Sequence, residues 1–350
     1  MYNKNKKEVL NMFKKKEKDL VKKILVVRYK SIGDTVFSLP FYRELRKNYG
    51  ENCQIDAIAK NADRILLETS PYIDNIICDE ELCFSKNKNI FKIFKTLSQY
   101  DKVYFLFKDI KLTLLTFLVG IKERVGLGFK GNLFLTKSIK YDTSINVIDL
   151  YLRVLEEDGL TVENRTYENA IKISEDKFKT NKTFQNKYIT IQAFSRCDKK
   201  DWNINGWEKV LAFVTNTLNY DVVLLGGDKD NESYTQIKCN KDKVHNLCGC
   251  SLEESIGYVK NSELHIGIDS GLIHISALLH KNSILLNGST SLIHWGPRNP
   301  NCHVMTKNFE CSPCLFNINY RVPCLCETSP KCLDAISPEE VIEEIKLIVK

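Results

Sequence analysis

Short apolar runs alternate with helical patterns along the first half of the chain. A helical pattern from Asp34 to Lys47 follows the first run, and the amphipathic pattern at 145–159 ends at Gly159, a common helix stop. Runs that are apolar throughout are typical of strands buried on both faces of a parallel sheet. The predicted strands of this half span residues 23–29, 54–59, 75–78 and 102–107.

The alternation stops at residues 161–187, a polar stretch predicted to be an edge element and a linker, and then begins again. Ser337 and Glu340 have the spacing of a capping box, which places the start of a last helix there. The predicted strands of the second half span residues 188–194, 221–227, 263–268 and 283–288, and its predicted helices span residues 204–218, 251–261, 271–281 and 337–350.

This order of elements predicts an α/β protein made of doubly wound parallel sheets with helices on both faces. Two such runs joined by a linker indicate two Rossmann-like domains that face each other across a cleft. Ligands of such sheets bind at the carboxyl ends of the strands. The predicted parts are an N-terminal extension at 1–22, domains at 23–175 and 176–336, and a closing helix at 337–350.

The composition is that of a globular chain with a sizeable core. Of the 350 residues, 43% are hydrophobic and 27% are charged. The longest apolar run, 112–121, lies between Lys111 and Lys122. It is much shorter than the roughly 20 residues that a helix needs to cross a bilayer. The N-terminus lacks the apolar segment and cleavage site of a secretory signal, so a cytoplasmic protein is expected.

Much of the positive charge lies at the N-terminus. The net charge is +7, and residues 1–23 carry nine lysines against three acidic residues. Apolar residues recur among them at near-helical spacing, which fits a basic amphipathic helix in peripheral contact with the cytoplasmic face of an inner membrane. A solvated helix that precedes the fold is the alternative. No nucleic-acid partner is expected.

Six of the 13 cysteines fall in the last fifty residues. In a chain without a secretion signal, a disulfide framework is not expected. A C-x-x-C pair and three later cysteines could hold a structural metal, and reduced thiols are the alternative. These candidates are Cys311, Cys314, Cys324, Cys326 and Cys332.

Asp269, Ser270 and Gly271 stand where the predicted strand 263–268 gives way to a helix. The free amides and the dipole of a helix N-terminus favour a phosphate, and Gly271 lets a ligand approach the backbone closely. Ser270 can cap the helix or donate to a phosphate oxygen, whereas the negative Asp269 suits sugar hydroxyls better. The alternative is an ordinary helix cap, with His274 as a core histidine.

Two further turns carry candidate chemistry. Asp34 follows the first predicted strand and could accept a proton from an attacking hydroxyl, or serve as a helix N-cap. Its turn lacks the glycine fingerprint of dinucleotide sites, which disfavours a nicotinamide oxidoreductase. After the strand at 188–194, Ser195, Lys199 and Lys200 could bind a diphosphate, or form an exposed loop, and Trp202 is predicted to lie in the core.

These three patterns in this order resemble glycosyltransferase family 9, the heptosyltransferases of bacterial lipopolysaccharide synthesis. The resemblance covers nearly all of residues 23–349. It rests on KILVVRYKSIGDTVFSLP, on DKKDW and on GIDSGLIHISALLHK. The phosphate loop of the family has a lysine two residues before a tryptophan, and in DKKDW that lysine is Lys200 and not Lys199.

The resemblance implies a GT-B fold and an inverting, metal-independent transfer of a heptose from ADP-heptose to a lipid-anchored inner-core or related surface glycan, with no cofactor. The resemblance makes 23–175 the acceptor-side domain and 176–336 the nucleotide-sugar-binding domain. By position, Asp34 becomes the general base, and Ser195 and Lys200 become diphosphate contacts. The implied contacts to donor sugar and phosphate are Asp269, Ser270, Gly271 and His274.

The donor remains open at this point, because Ser289 stands where the family usually has a proline. Transfer of another nucleotide-activated sugar is one alternative. A non-catalytic relative that binds a nucleotide or a glycan is the other.

Overall fold

The computed structural model of the chain describes residues 21–28, 31–79, 90–128, 133–174, 177–314 and 331–349. The predicted extension at 1–22 therefore lies almost wholly outside the described residues. The chain divides into two compact units, Met1–Lys172 and Ile173–Lys350. In the described ranges, no helix is both long and apolar enough to cross a membrane.

The first unit is built on a parallel sheet of six strands. The strands are β1 (Lys23–Val27), β2 (Gln54–Ala59), β3 (Asn75–Cys78), β4 (Lys102–Phe105), β5 (Glu123–Gly128) and β6 (Lys137–Lys140). The described helices are α1 (Ile32–Tyr49), α2 (Asn61–Leu67), α3 (Ile90–Leu97), α4 (Ile110–Leu118) and α5 (Val147–Glu157). The strand order is β3-β2-β1-β4-β5-β6, so the order reverses between β1 and β4.

The second unit repeats this plan with its own six-stranded parallel sheet. The strands are β7 (Tyr188–Gln192), β8 (Asp221–Leu224), β9 (Val244–Asn246), β10 (Leu264–Ile268), β11 (Ser283–Asn287) and β12 (Cys302–Thr306). The described helices are α6 (Ile204–Ala212), α7 (Asp230–Thr235), α8 (Leu252–Asn261), α9 (Gly271–Leu278), α10 (Leu292–Trp295), α11 (Lys331–Asp334) and α12 (Pro338–Ile348). The order β12-β11-β10-β7-β8-β9 reverses between β10 and β7.

Each sheet is stabilised by apolar side chains on both faces. Central strands such as β1, β4 and β10 are buried along nearly their whole length. In the second unit, Trp202 and Trp207 pack edge to face, with ring centroids 5.1 Å apart, within one core that also includes Val341 and Ile345 of α12. The prediction that Trp202 is a core residue is therefore confirmed, since it is only 2% exposed.

The predicted α/β architecture is confirmed, but the described residues of the polar stretch contain no edge element. The described residues of 161–187 form neither a strand nor a helix. Instead, the buried Arg43 of α1 donates to the backbone carbonyls of Asn164, Thr166 and Glu168. Three carbonyls of this segment are thus satisfied by one guanidinium, because arginine offers several donors in a fixed geometry.

Where each sheet reverses its order, the loops at the strand ends leave room for a ligand. The turn that follows β1 carries Asp34. In the second unit, the turn after β7 carries Ser195 and Lys200, and the turn after β10 carries Asp269. These two strands are direct neighbours, and Gly267 pairs with Gln192. The fold therefore places the last two turns side by side.

Candidate active site

Asp34 lies in the first turn of α1 as one half of a buried ion pair. The helix begins at Ile32 with Ser31 as its N-cap, so Asp34 is not the capping residue. The Ser31 hydroxyl donates to Asp34 Oδ2 at 2.5 Å, and the Arg28 guanidinium contacts Oδ1. Asp34 is 7% exposed and Arg28 is 4% exposed. The carboxylate is therefore held in one orientation at the carboxyl end of β1.

Arg28 is in turn fixed by aromatic residues. Its Nε donates to the Tyr151 hydroxyl at 2.7 Å, and its guanidinium carbon lies 5.3 Å from the centre of the Phe107 ring. Burial lowers the pKa of Arg28, but the charge of Asp34 and the contact with Tyr151 more than offset this and raise the pKa above its usual value. Arg28 therefore remains a cation beside Asp34.

Two other titratable groups lie close to this pair. Burial, followed by the negative charge of Asp34, raises the pKa of Tyr141 to about 12. Asp63 is 3% exposed and accepts a hydrogen bond from Thr35 at 3.3 Å. The Asp34 carboxylate thus sits in a buried polar cluster, where charged groups interact more strongly than they do in water.

Asp269 is the centre of a second polar cluster, in the second unit. Lys200 Nζ donates to Asp269 Oδ2 at 2.7 Å and to the Asp269 backbone carbonyl at 3.1 Å. His274 Nε2 lies 3.3 Å from Oδ1 of the same carboxylate. Burial alone would raise the pKa of Asp269, but Lys200 and then His274 hold it well below its usual range. Asp269 is therefore an anion at neutral pH.

The amino end of α9 lies beside this cluster. Ser270 occupies the N-cap position, but its side chain makes no capping bond; it donates to the Gln192 side chain at the end of β7. Gly271 is the first residue of the helix. The backbone amides of the first turn of a helix have no partner within the helix, which makes this end suited to an anion.

The loop after β7 is shaped by its own polar groups. The Ser195 hydroxyl donates to the Cys197 carbonyl at 2.9 Å and accepts from the Cys197 amide at 3.1 Å. The Ser195 amide donates to Asp201 Oδ1 at 3.0 Å. Burial raises the pKa of Asp201 to about 7, in spite of this hydrogen bond. The short 3₁₀ turn Asp198–Lys200 then directs Lys200 to Asp269.

The structure brings together Lys200, Asp269 and His274, and it places Ser270 and Gly271 at the adjoining helix end. The sequence analysis predicts all five as site residues. It does not single out Arg28, Gln192 or Asp201. Arg28 and Gln192 are polar residues at the ends of apolar runs, and this position was the available signal. Asp201 gave none, because only the folded loop shows its contact with Ser195.

The predicted cysteine site is described only in part. Cys324 and Cys326 lie outside the described residues. The Cys314 amide donates to the Ser289 carbonyl at 3.0 Å. Cys332 is 5% exposed and packs beside Gly288, where an added Cβ would lie 2.5 Å from its Sγ. Within the described ranges, three or more metal-ligating side chains do not come together.

Comparison with known proteins gives three informative matches. Lipooligosaccharide heptosyltransferase 2 of Campylobacter jejuni is 26% identical over 162 residues, which cover 43% of this chain and 47% of that protein. This match thus spans about half the length of that relative. Lipopolysaccharide heptosyltransferase 3 of Escherichia coli K12 is 25% identical over 286 residues, covering 76% of this chain and 82% of that protein.

The third match is a solved structure, that of E. coli ADP-heptose lipopolysaccharide heptosyltransferase II. It superposes with a TM-score of 0.75 at 20% identity, over 93% of this chain and 98% of that one. This likeness confirms the predicted GT-B fold. The family model for glycosyltransferase family 9 (heptosyltransferase) matches residues 90–321, well over half of the chain. The predicted resemblance to this family is therefore confirmed, and the chain belongs to glycosyltransferase family 9.

Proposed function

We propose that this protein is an inverting, metal-independent glycosyltransferase that moves a heptose from ADP-heptose to a lipid-anchored inner-core sugar or a related surface glycan. The observation that carries the proposal is the cluster of Lys200, Asp269 and His274 beside the amino end of α9. It joins a cation and free helix amides, which suit a diphosphate, to a buried carboxylate, which suits sugar hydroxyls.

In the proposed reaction, the acceptor hydroxyl oxygen attacks C1 of the donor sugar, and the bond from C1 to the diphosphate oxygen breaks. The configuration at C1 inverts, and ADP leaves with the electron pair. Lys200 and the first-turn amides of α9 stabilise the charge that develops on the diphosphate, with Ser195 as a further contact. This arrangement supplies positive charge from the protein itself.

Asp34 is the proposed general base, which takes the proton of the acceptor hydroxyl as that oxygen attacks. Arg28 and Ser31 hold its two oxygens in place, and a fixed base avoids the entropic cost of orienting it at each turnover. Arg28 is therefore a positioning residue in this scheme. The basic segment at 1–22 is proposed to rest on the cytoplasmic face of the membrane that holds the acceptor.

The test is transfer by the Asp34→Asn variant, with purified ADP-heptose and a lipid-linked inner-core acceptor. We expect a loss of about 10²–10⁴-fold in kcat/KM, the usual contribution of a general base. Stabilisation by ADP in a thermal melt should persist, because Asp34 is not assigned to the donor. Asp149→Asn is the matched control, since Asp149 also lies in the first turn of a helix and pairs with an arginine, Arg165, at 3.3 Å.

Unchanged turnover of Asp34→Asn would refute the role of the base. The stereochemistry of the product, read by NMR at the new anomeric carbon, tests inversion, and activity in EDTA tests metal independence. A panel of ADP-, UDP- and GDP-sugars tests the donor. Preference for UDP or GDP would move the function to another nucleotide sugar, and ADP binding without any transfer would indicate a non-catalytic relative.

A further inference from the structure

Helix α4 presents apolar side chains to solvent. Its inner side packs on the sheet through Leu112, which joins the core that also contains Ile93 and Leu97 of α3. On the other side, Ile110 is 50% exposed, Phe117 is 49% exposed and Leu118 is 56% exposed. The solvent-facing stripe of a surface helix is normally polar. This is the same apolar run that the sequence shows between two lysines and that the proposed reaction does not use.

A neighbouring loop extends the apolar surface. The Phe117 ring lies 5.7 Å from the Phe134 ring, centre to centre. Leu133, the preceding residue, is 87% exposed. The apolar side chains of α4 and of this loop thus form one surface, called here the α4 surface and defined by Ile110, Phe117, Leu118 and Leu133. Contiguous exposed apolar surface of this kind marks a site of interaction.

Exposed lysines flank the α4 surface in the sequence. Lys111 and Lys122 stand at its two ends, and both are exposed. The nearest acidic residues in the sequence are already engaged: Asp109 accepts from the Leu112 amide at 2.9 Å, and Glu123 pairs with Lys102 at 2.6 Å. Exposed apolar residues flanked by lysines are typical of surfaces that rest in the interface of an anionic bilayer.

We propose that the α4 surface docks on an anionic lipid bilayer, with its apolar side chains in the interface and Lys111 and Lys122 at the headgroups. A second copy of the chain is a less suitable partner for this surface, because Lys111 and Lys122 of the two copies would face each other. The basic segment at 1–22 fits less well for the same reason, since residues 1–23 carry nine lysines against three acidic residues. A bilayer supplies both the apolar and the negative component.

This inference deepens the proposed function. The choice of a membrane as the partner rests on that function, because the proposed acceptor is lipid-anchored. The test below uses neither donor nor acceptor. A failure of docking and a failure of transfer are therefore separate results.

The experiment measures sedimentation of the full chain with vesicles of phosphatidylcholine alone, or of phosphatidylcholine and phosphatidylglycerol in equal parts. The triple variant Phe117→Ser, Leu118→Ser, Leu133→Ser should bind the anionic vesicles about tenfold more weakly or worse, because it loses most of the apolar anchor. Lys111→Gln with Lys122→Gln should weaken binding about thirtyfold at low salt, at about fivefold for each lysine. Each variant is first checked by thermal melting.

The matched control replaces exposed apolar residues of the second unit. Ile293 is 67% exposed and Leu347 is 62% exposed. The double variant Ile293→Ser, Leu347→Ser should bind vesicles as the unaltered chain does. Because every variant keeps residues 1–22, any difference between them comes from the replaced side chains and not from the basic segment.

A second measurement reports insertion directly. Leu118→Trp should gain a fluorescence component that shifts to the blue on anionic vesicles and is quenched by lipids spin-labelled near the headgroup, whereas Ile293→Trp should show neither change. The proposal would be overturned if the triple variant bound vesicles as tightly as the unaltered chain. It would also be overturned if the fluorescence of Leu118→Trp showed neither the blue shift nor the quenching on anionic vesicles. A change of oligomeric state in the triple variant without a change in vesicle binding would assign the surface to a second copy instead.

Discussion

The contact between Lys200 and Asp269 allows a quantitative test of the candidate donor site. Lys200 Nζ donates to Asp269 Oδ2 at 2.7 Å and to its carbonyl at 3.1 Å, and the side chains are only 14% and 9% exposed. A hydrogen bond to a charged group contributes about 1.5–3 kcal/mol, and removing one partner of a buried pair costs about 3–5 kcal/mol.

We expect Lys200→Met to reduce the free energy of unfolding by about 3 kcal/mol, the lower end of that range, because Asp269 retains His274 at 3.3 Å. Asp269→Asn should have a similar effect. The double variant should lose about 4 kcal/mol rather than about 6, since neither charge is then left buried alone, which gives a coupling energy of about 2 kcal/mol.

The assay is urea unfolding followed by tryptophan fluorescence. All three tryptophans, Trp202, Trp207 and Trp295, lie in the second unit, so the signal reports the unit that contains the pair. The control is the double-mutant cycle for Lys346 and Glu343. These side chains lie at the same distance, 2.7 Å, but are 47% and 70% exposed.

Solvent screening should reduce the coupling of the control pair to a few tenths of a kcal/mol. The reasoning is refuted if the Lys200 and Asp269 cycle gives a coupling no larger than the control. In that case the contact would contribute nothing measurable to the stability of the second unit.

Two further predictions concern the same unit. Gly206→Ala should destabilise it by up to about 2 kcal/mol. An added Cβ would lie 2.5 Å from the buried Trp202 ring, and the overpacking cost of about 1–3 kcal/mol is offset by a gain of only about 1 kcal/mol from alanine in a helix. Urea unfolding checks this, and Gly227→Ala, where the nearest atom is 3.9 Å from the added Cβ, should show no such loss. The free energy of unfolding of Asp201→Asn, measured by urea unfolding, should rise relative to that of the unaltered chain as pH rises from about 4 to about 7. The rise should be at most about 1.4 kcal/mol per pH unit. Between these pH values the folded chain keeps a proton on Asp201 that the unfolded chain has lost. The free energy of unfolding of the unaltered protein therefore falls as pH rises. Above about pH 8 both states are deprotonated, so the difference in stability between variant and unaltered protein should be constant. A difference independent of pH from 4 to 8 would contradict the raised pKa of Asp201.

Apolar runs predicted the central strands well, because burial on both faces leaves an uninterrupted signal. Gln54–Ala59 forms a strand with the predicted bounds, and so does the edge strand Asn75–Cys78, whose two isoleucines leave a short apolar run. The interior strand Glu123–Gly128 was missed, because two charged residues and two glycines interrupt its apolar pattern. The edge strand Lys137–Lys140 was missed, since three of its four residues are exposed and its sequence is largely polar. Cys302–Thr306 and Val244–Asn246, at the two margins of the second sheet, were also missed, because polar residues interrupt both short sequences. Strands whose apolar residues are interrupted by polar residues or glycines leave little hydrophobic pattern in the sequence.

The residues of the candidate site were likewise predictable from the sequence only in part. Asp34 and Asp269 are predicted as candidates because each directly follows a predicted strand, and the fold brings strand ends to one edge of a sheet. Lys200 is preferred to Lys199 only through the resemblance to the family. Their actual partners could not be found from spacing. The contact between Arg28 and Tyr151 joins residues 123 positions apart, and that between Lys200 and Asp269 joins residues 69 positions apart. Such pairs depend on tertiary packing that no local pattern encodes.

The repeated strand order has an evolutionary consequence. Each sheet reverses at the same step, between its first and fourth strands, and each carries its proposed chemistry on turns at that step and not in the strands. The proposed base and the proposed donor contacts are thus encoded in separate halves of the chain. Substitutions in the turns after β7 and β10 can change the donor without altering the turn after β1. On these proposed roles, donor preference and acceptor preference can diverge independently, and each can be selected in a library confined to one half.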